Sequence, residues 1–371
     1  LVAAAKNLPL WDPTPTQPKV LDGINSFFHD WVNHPHADSY WENLTPQLKD
    51  IDLPTLHIGG WFDPYLRGDI RLYQELLEHS RLARSQHPHH LWIGPWSHIP
   101  WSKKVGEVDF GCAAISPVDQ LQVQWFDAML KGKKLPQTLL EAAPIDSPEL
   151  NEPSAHSELA LVEDKPVCLF EMGRNQWRRR LDWSARSTCT YFLHSDGLAN
   201  IREDSGVLTL TNYPTANQDT VVHDPWNPAP ALGGHSAIPA GAFERTAVDA
   251  RGDVLTYTST PVTEELRVVG IVKLVGEIIA AASSYDLCAV LSRVTRNGVY
   301  NLTQSYQKIE TASPNQPFET SLPLHPTCFS LAPGECLRLI LSLACFPAYP
   351  INPGLGTQPH QTQLIVAQII S

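Results

Sequence analysis

Apolar residues in the first 150 positions of the chain recur with two alternating spacings. Over residues 20–34, 68–82 and 118–134 they return every three or four positions, which predicts three amphipathic helices. Two short apolar runs, at 53–63 and 89–98, lie between these segments and predict buried strands. Strands that alternate with helices are typical of an α/β sheet with parallel strands.

From about residue 166 onward the pattern changes to strands alone. Runs such as "TCTYFLH", "LRVVGIVKLVGEII" and "CLRLILSLAC" are separated by turn signals that include "HSDG", "RNG" and "APGE". Many short strands with few helices predict a β-sandwich or jelly roll. The preceding stretch, 136–166, is rich in Pro, Glu and Ser and predicts a linker. The predicted fold class is therefore α/β followed by all-β.

Length and composition limit the class of protein and its partners. The chain has 371 residues, 43% of them hydrophobic, so we expect two or three globular domains. Its net charge is -12. No basic cluster is larger than the "RRR" at 178–180, which argues against a nucleic-acid partner. No run of about 18 apolar residues occurs, so we expect no membrane span.

The start of the chain and its cysteines bear on its cellular location. "LVAAAKNLPLWDP" lacks the charged and apolar regions of a signal peptide, and it lacks an initial Met, which favours a start inside a longer protein. The seven cysteines are odd in number and form no C-x-x-C pair, which predicts free thiols in a reducing compartment. We therefore expect a cytoplasmic protein with no metal site and no cofactor.

Two polar residues follow the predicted strands of the first part. Asp63 comes directly after one strand, and His98 comes after the next. One helix joins the two strands, so they should be parallel neighbours with their carboxyl ends side by side. A carboxylate at this place can orient an imidazole as a general base. The alternative is that His98 is a loop residue without a catalytic role.

The sequence segments around these two residues resemble those of a known family. "IGGWFD" and "IGPWSH" resemble the acid and histidine segments of the CocE/NonD hydrolases, the family of bacterial cocaine esterase and the X-Pro dipeptidyl-peptidases. "HDWVNHPHADSYWENLTP" at 29–46 resembles the exit from the family's helical cap. "VQWFDAMLKGKK" resembles the helix after the histidine, "LFEMGRNQWRRRLDW" at 169–183 the start of a C-terminal jelly roll, and "HDPWNPAPALGG" a proline-rich loop.

The resemblance implies a fold and a reaction. It implies a partial α/β-hydrolase core with the remnant of a helical cap, followed by a C-terminal jelly-roll β-sandwich. Residues 1–46 would be the cap remnant, 47–150 the C-terminal part of the core, 151–165 a linker and 166–371 the jelly roll. The implied reaction is acyl transfer to water through an acyl-serine, with Asp63 as the triad acid and His98 as the base.

The nucleophile that this reaction needs does not follow from the sequence. The family carries its serine in a G-x-S elbow before the cap, and the sequence contains no G-x-S-x-G motif. Ser236 lies in the β-rich part and in the wrong order, and Ser97 directly precedes His98. We therefore expect the C-terminal portion of a longer hydrolase, whose N-terminal half is the missing partner. Alone, the chain would be inactive, and its open sheet edge predicts poor solubility or self-association.

The sequence restricts the class of substrate and suggests residues for the acyl pocket. The amino-acid ester hydrolase branch carries carboxylates where this chain has Tyr65 and Leu66, which disfavours recognition of an α-amino group and favours a small-molecule ester or amide with an apolar acyl group. Trp61, Phe62, Tyr65 and Trp96 are candidates to line the acyl pocket. Core packing explains Trp61 and Trp96 equally well.

Other interpretations of the sequence stay open at this point. The β-rich part could be a non-catalytic jelly-roll module that binds carbohydrate or protein, or a scaffold derived from a hydrolase. On the predicted helix after the acid, Asp69 is interpreted as an ordinary helix-start residue. Arg67 and Arg71 are interpreted as solvated surface residues.

Overall fold

A computed structural model describes most of the chain. The described residues are 27–45, 48, 51, 53–79, 89–135, 165–183, 187–213, 218–311, 313–356 and 368–370. The beginning of the predicted helix at 20–34 and residues 151–164 of the predicted linker at 151–165 lie outside these residues.

Five helices occur in the described part of the chain. They are α1 (Phe28–Asn33), α2 (Ser39–Leu44), α3 (Leu66–His79), α4 (Val118–Lys131) and α5 (Thr246–Asp249), with a 3-10 turn at Cys112–Ala114. The apolar positions of α3 recur at helical spacing, and its buried face consists of Leu66, Ile70, Tyr73 and Leu76. No described helix is both long enough and apolar enough to cross a lipid bilayer.

The strands are numbered in chain order. Those of the first part and its junction are β1 (Leu56–Phe62), β2 (His90–Ser97), β3 (Lys104–Val105), β4 (Val108–Asp109), β5 (Val167–Glu171) and β6 (Gln176–Arg180). Those that follow are β7 (Phe192–His194), β8 (Val207–Thr209), β9 (Val221–His223), β10 (Val254–Ser259), β11 (Leu266–Gly270) and β12 (Lys273–Ile279). The remaining strands are β13 (Ser284–Thr295), β14 (Gly298–Glu310), β15 (Pro317–Pro323), β16 (Thr327–Leu331), β17 (Cys336–Ser342) and β18 (Gln368–Ile370).

A four-stranded sheet in the order β1-β2-β5-β6 positions the candidate site. β1 and β2 are parallel, as the strand–helix–strand pattern predicts, and α3 connects them. β2 is also parallel to β5, whereas β6 is antiparallel to β5. The carboxyl ends of three parallel strands therefore share one edge of this sheet.

The strand β5 joins this sheet although the sequence pattern assigns its residues to the all-β part. Its five residues are all buried, and a short apolar run of this kind does not reveal which strand it pairs with. Directly after β5, the backbone N–H of Met172 donates to the carbonyl of Cys328 at 3.0 Å, and its carbonyl accepts from Ser330 at 2.8 Å. The chain thus passes from one sheet to the strands of the β-rich part within a few residues.

The β-rich part consists of a six-stranded sheet and several strand pairs. The six-stranded order is β14-β13-β17-β10-β8-β7, in which only the β10–β8 pair is parallel. β11 pairs with β16, β12 with β15, and β9 with β18, each antiparallel. The described chain is accordingly a set of mixed sheets with few helices, and the jelly-roll topology stays a prediction.

One hydrophobic core runs through both parts of the chain. Trp92 and Trp96 of the first sheet, Phe170 of β5 and Phe329 of β16 are fully buried members of the same cluster. Aromatic side chains of this size bury a large apolar area each, so they contribute strongly to stability. The two parts therefore stabilise each other through a shared core.

Candidate active site

The carboxylate of Asp63 is held by the turn that joins β1 to α3. Its backbone N–H donates to the carbonyl of Gly60 at 3.0 Å, and its Oδ1 accepts from the backbone N–H of Tyr65 at 2.9 Å. An aspartate that accepts from the N–H two residues on is a common turn arrangement. Asp63 is 5% exposed, so its side chain is fixed in a largely dry position at the carboxyl end of β1.

His98 lies one residue beyond β2 and contacts this carboxylate. Its Nδ1 is 3.0 Å from Oδ2 of Asp63, while more than half of the imidazole surface stays exposed. A carboxylate only accepts hydrogen bonds, so this contact favours a proton on Nδ1 and leaves the lone pair of Nε2 available. The structure thus brings the two predicted residues into contact, with Nδ1 of His98 directed at the carboxylate of Asp63.

A β-bulge sets the register that makes this contact. Gly60 pairs with Gly94, but two residues later Phe62 pairs with Ser97, so β2 contains one more residue than β1 over this stretch. Asp63 and His98 directly follow this second pair and therefore lie side by side at the ends of the two strands. In a regular parallel register, Ser97 would occupy the level of the acid.

Two glycines make room for the bulge. A Cβ on Gly60 would come within 2.2 Å of the carbonyl oxygen of Trp96, and a Cβ on Gly94 within 2.4 Å of the Trp96 ring. The indole N–H of Trp96 donates to the carbonyl of Ala114 at 2.8 Å. The second glycine of "IGGWFD", Gly60, and the glycine of "IGPWSH", Gly94, are therefore required by close packing around Trp96.

The predicted pocket residues fall into two groups. Trp61, Phe62 and Trp96 are at most 2% exposed, and the indole N–H of Trp61 donates to the carbonyl of Phe170 at 2.7 Å. Core packing accounts for the burial of all three, and a substrate contact for them stays a prediction. Tyr65 differs, because the residue is 63% exposed and its ring lies edge-on to the imidazole of His98, with 5.1 Å between the ring centroids.

A second carboxyl group lies near the pair. Asp69 is in the first turn of α3 and half-buried, with Oδ2 3.0 Å from the position that a Cβ on Gly59 would take. Burial, and secondarily the charge of Asp63, raise the pKa of Asp69 to about 6. Beyond its position at a helix start, Asp69 is thus a group that changes charge near neutral pH.

Sequence reasoning missed the contacts that reach the acid loop from the β-rich part. His325, which precedes β16, has its Nε2 2.9 Å from the backbone carbonyl oxygen of Asp63. Arg67, interpreted from the sequence as solvated, donates to the hydroxyl of Ser305 at 3.2 Å and to the carbonyl of Pro323 at 2.6 Å. The partners of these contacts are more than 230 residues apart in the chain, so no local pattern signals them.

Family models match both parts of the chain. Residues 162–370 match the X-Pro dipeptidyl-peptidase C-terminal non-catalytic domain, and residues 6–100, which include both Asp63 and His98, match the X-Pro dipeptidyl-peptidase (S15 family) model. The chain belongs to the family of the X-Pro dipeptidyl-peptidases. A CocE/NonD family hydrolase from Staphylococcus aureus shares its fold with a TM-score of 0.52 at 12% identity, over 93% of this chain and 57% of that chain.

Individual proteins are similar to this chain in sequence or in fold. The cocaine esterase of Rhodococcus sp. (strain MB1 Bresler) is 25% identical over 354 residues, which are 90% of this chain and 56% of that protein. An aminopeptidase from the marine sediment archaeon Thaumarchaeota archaeon superposes with a TM-score of 0.74 at 19% identity, covering 99% of this chain and 60% of its own. An alpha-amino acid ester hydrolase superposes with a TM-score of 0.70 at 18% identity, over 94% of this chain and 58% of the hydrolase chain.

The two superpositions show that these proteins share the fold of this chain, at sequence identities below 20%. The chain spans about half the length of the curated relatives it matches.

Proposed function

We propose that this chain supplies the acid and the base of a Ser-Asp-His triad in an acyl hydrolase. The observation that carries the proposal is the contact of 3.0 Å between Nδ1 of His98 and Oδ2 of Asp63. The two residues lie at the carboxyl ends of adjacent parallel strands, where the chemistry of open α/β sheets gathers. The family of the chain, which comprises serine esterases and peptidases, supports the same assignment.

In the proposed mechanism, Nε2 of His98 takes the proton of a serine hydroxyl as the serine oxygen attacks the acyl carbon. His98 then passes this proton to the departing alcohol or amine, and the acyl group stays bonded to the serine. A water molecule repeats the sequence and releases the acid. Asp63 stays ionised throughout, because its role is to fix the tautomer of His98 and to stabilise the imidazolium.

The nucleophilic serine is proposed to come from another segment of the parent hydrolase. The sequence has no G-x-S-x-G motif, and the hydroxyl of Ser236 in the β-rich part accepts a hydrogen bond from Gln304 at 2.8 Å. The matched region covers 56% of the cocaine esterase, so a relative of this family contains further sequence in which a nucleophile can lie. By itself this chain is expected to be inactive.

The proposed substrate is an ester or amide with an apolar acyl group. Tyr65 and Leu66, two and three residues after the acid, carry no charge that would bind a substrate ammonium. The exposed ring of Tyr65 beside His98 is suited to contact an apolar group. We further propose that the β-rich part forms the family's jelly roll.

A purely binding or scaffolding role is not favoured. The segment that holds Asp63 and His98 matches the peptidase model, whereas only residues 162–370 match the non-catalytic domain. A binding module would also have no need of a buried carboxylate that orients an exposed imidazole.

Covalent labelling of the full-length parent tests the proposal. A fluorophosphonate probe should label one serine upstream of the present sequence, and His98→Ala should slow the labelling by about a thousandfold or more. His79→Ala is the matched control, because His79 is an exposed histidine at the end of α3, and it should leave the labelling rate unchanged. A parent that is not labelled, or a His98→Ala variant labelled at the wild-type rate, would contradict the proposed function.

A further inference from the structure

The backbone of His325 is pinned to the β-rich part of the chain. Its N–H donates to the carbonyl of Gln304 at 2.9 Å, and its carbonyl accepts from the hydroxyl of Thr303 at 2.6 Å. Both partners lie on β14, and His325 is 2% exposed. The imidazole therefore projects from a rigid, buried position.

The ring of His325 is also held from the side. It stacks on the ring of His235, with 3.9 Å between the centroids and 10° between the planes. Burial lowers the pKa of His325 to about 2, with a further contribution from His235. The imidazole of His325 is accordingly neutral in any ordinary buffer.

One hydrogen bond extends from this ring to the acid loop. Nε2 of His325 is 2.9 Å from the backbone carbonyl oxygen of Asp63. Because a carbonyl only accepts, Nε2 must carry the single proton of the neutral ring and Nδ1 must carry a lone pair. Among the described residues Nδ1 has no hydrogen-bond partner, so the only directed polar contact of the ring is the one to Asp63.

This carbonyl belongs to the peptide unit that follows the acid. Its other donor is the backbone N–H of Leu66, at a longer distance of 3.3 Å. Within the turn, the N–H of Tyr65 holds the carboxylate and the N–H of Leu66 holds the carbonyl of Asp63. His325 adds a contact to the same carbonyl from the β-rich part. A shift of this peptide would move the carboxylate away from Nδ1 of His98.

We propose that His325 is a positioning residue for Asp63, through which the β-rich part controls the orientation of the acid and hence of His98. The family model describes residues 162–370 as a non-catalytic domain, and His325 lies within that range. The inference rests on the proposed function for its catalytic meaning. Its structural content, the dependence of the Asp63–His98 contact on His325, can be measured without a nucleophile.

The test in this chain is the tautomer of His98, observed by ¹H–¹⁵N NMR of the ¹⁵N-histidine-labelled protein. His325→Phe keeps a ring against His235 and removes the donor, whereas His325→Gln keeps an N–H donor. The Nδ1–H tautomer of His98 should dominate in the wild type and in His325→Gln. The population of this tautomer should fall by roughly half or more in His325→Phe, because an imidazole without a fixed carboxylate populates both tautomers.

Controls separate this effect from unfolding. His235→Phe keeps the stacked pair of rings and the hydrogen bond to Asp63, so it should retain the wild-type tautomer of His98. An unchanged tautomer in a folded His325→Phe variant would overturn the proposal. If that variant does not fold, the wild-type spectrum decides, because the proposal requires His325 to carry its proton on Nε2 and an Nδ1–H tautomer would overturn it.

Turnover of the full-length parent tests the catalytic consequence. His325→Phe should lower kcat by about 10- to 100-fold with little change in KM, and His325→Gln should restore most of it. Full activity in His325→Phe would overturn the positioning role. A parent without any serine-hydrolase activity would instead refute the proposed function and leave the tautomer result standing, so the two failures are distinguishable.

Discussion

Acidification from pH 7 to pH 5 should destabilise this chain through its buried neutral histidines. Burial lowers the pKa of His57 and His223 to about 4, of His90 to about 3 and of His325 to about 2. An unfolded histidine has a pKa of about 6.5. Below that value the unfolded chain binds protons that the folded chain does not, so these groups contribute stability above pH 6.5 that is lost as the pH falls.

The size of the effect follows from how far the pH lies below the pKa of histidine in the unfolded chain. At pH 5 the solution is about 1.5 units below the unfolded pKa, so each buried histidine removes about 2 kcal/mol of unfolding free energy, or about 8 kcal/mol for the four. His235, whose pKa burial lowers to about 4, adds about 2 kcal/mol in the same direction, which makes about 10 kcal/mol for the five histidines.

Two carboxyl groups oppose this loss. Burial raises the pKa of Asp286 to about 7 and of Asp69 to about 6, so the folded chain binds their protons before the unfolded chain does. Their stabilisation on acidification is about 3 kcal/mol together, after allowance for the solvent around the half-buried Asp69. A net loss of about 7 kcal/mol remains, which is a large part of the stability of an ordinary domain.

Urea unfolding followed by tryptophan fluorescence at pH 7, 6 and 5 measures this loss. His90→Phe provides the sharpest variant, because His90 is fully buried and neither ring nitrogen has a hydrogen-bond partner in the described part of the chain. The substitution should reduce the loss between pH 7 and pH 5 by about 2 kcal/mol. His79→Phe, at an exposed position, should reproduce the wild-type pH dependence.

Two results would refute this reasoning. One is an unfolding free energy of the wild type that stays constant between pH 7 and pH 5. The other is a His90→Phe variant that loses as much stability on acidification as the wild type does.

Further predictions concern packing and buried charge. Gly60→Ala should destabilise the chain by about 2 kcal/mol or more, because its Cβ would meet the carbonyl of Trp96 at 2.2 Å. Gly68→Ala, in α3 with no atom within 4 Å of its Cβ, should instead stabilise by up to about 1 kcal/mol, and urea unfolding compares the two. Arg338→Met should cost about 3 kcal/mol, because it removes one of two cations beside the carboxylate of the buried Asp249. Arg202→Met, at a half-exposed arginine paired with an exposed aspartate, should leave the unfolding free energy within the error of the same measurement.

The Asp63–His98 contact was predictable because its determinants are local. Each residue follows a buried strand, and one helix of ordinary length joins the two strands. The rule that such strands are parallel neighbours then places both side chains at one edge of the sheet. The bulge that aligns the two residues was not predictable, because it depends on how Trp96 packs against Gly60 and Gly94.

Other features depend on contacts between distant parts of the chain. The apolar run of β5 fits a sandwich strand as well as a sheet strand, and its parallel pairing with β2 follows only from the assembled core. His325 lies 262 residues after Asp63, and no spacing rule connects a backbone carbonyl with a histidine that far along the chain. Residues such as Arg67 and Trp96 likewise acquire their roles from partners that the pattern does not reveal.

Steady-state hydrolysis of a p-nitrophenyl ester by the full-length parent tests the central claim most directly. The acid role predicts that Asp63→Asn lowers kcat by about ten-thousandfold, because an amide no longer selects the tautomer of His98 that accepts a serine proton. Asp109→Asn, at an exposed aspartate paired with Lys103, is the control and should keep the wild-type kcat. An Asp63→Asn variant with kcat within a factor of about ten of the wild type would contradict the account.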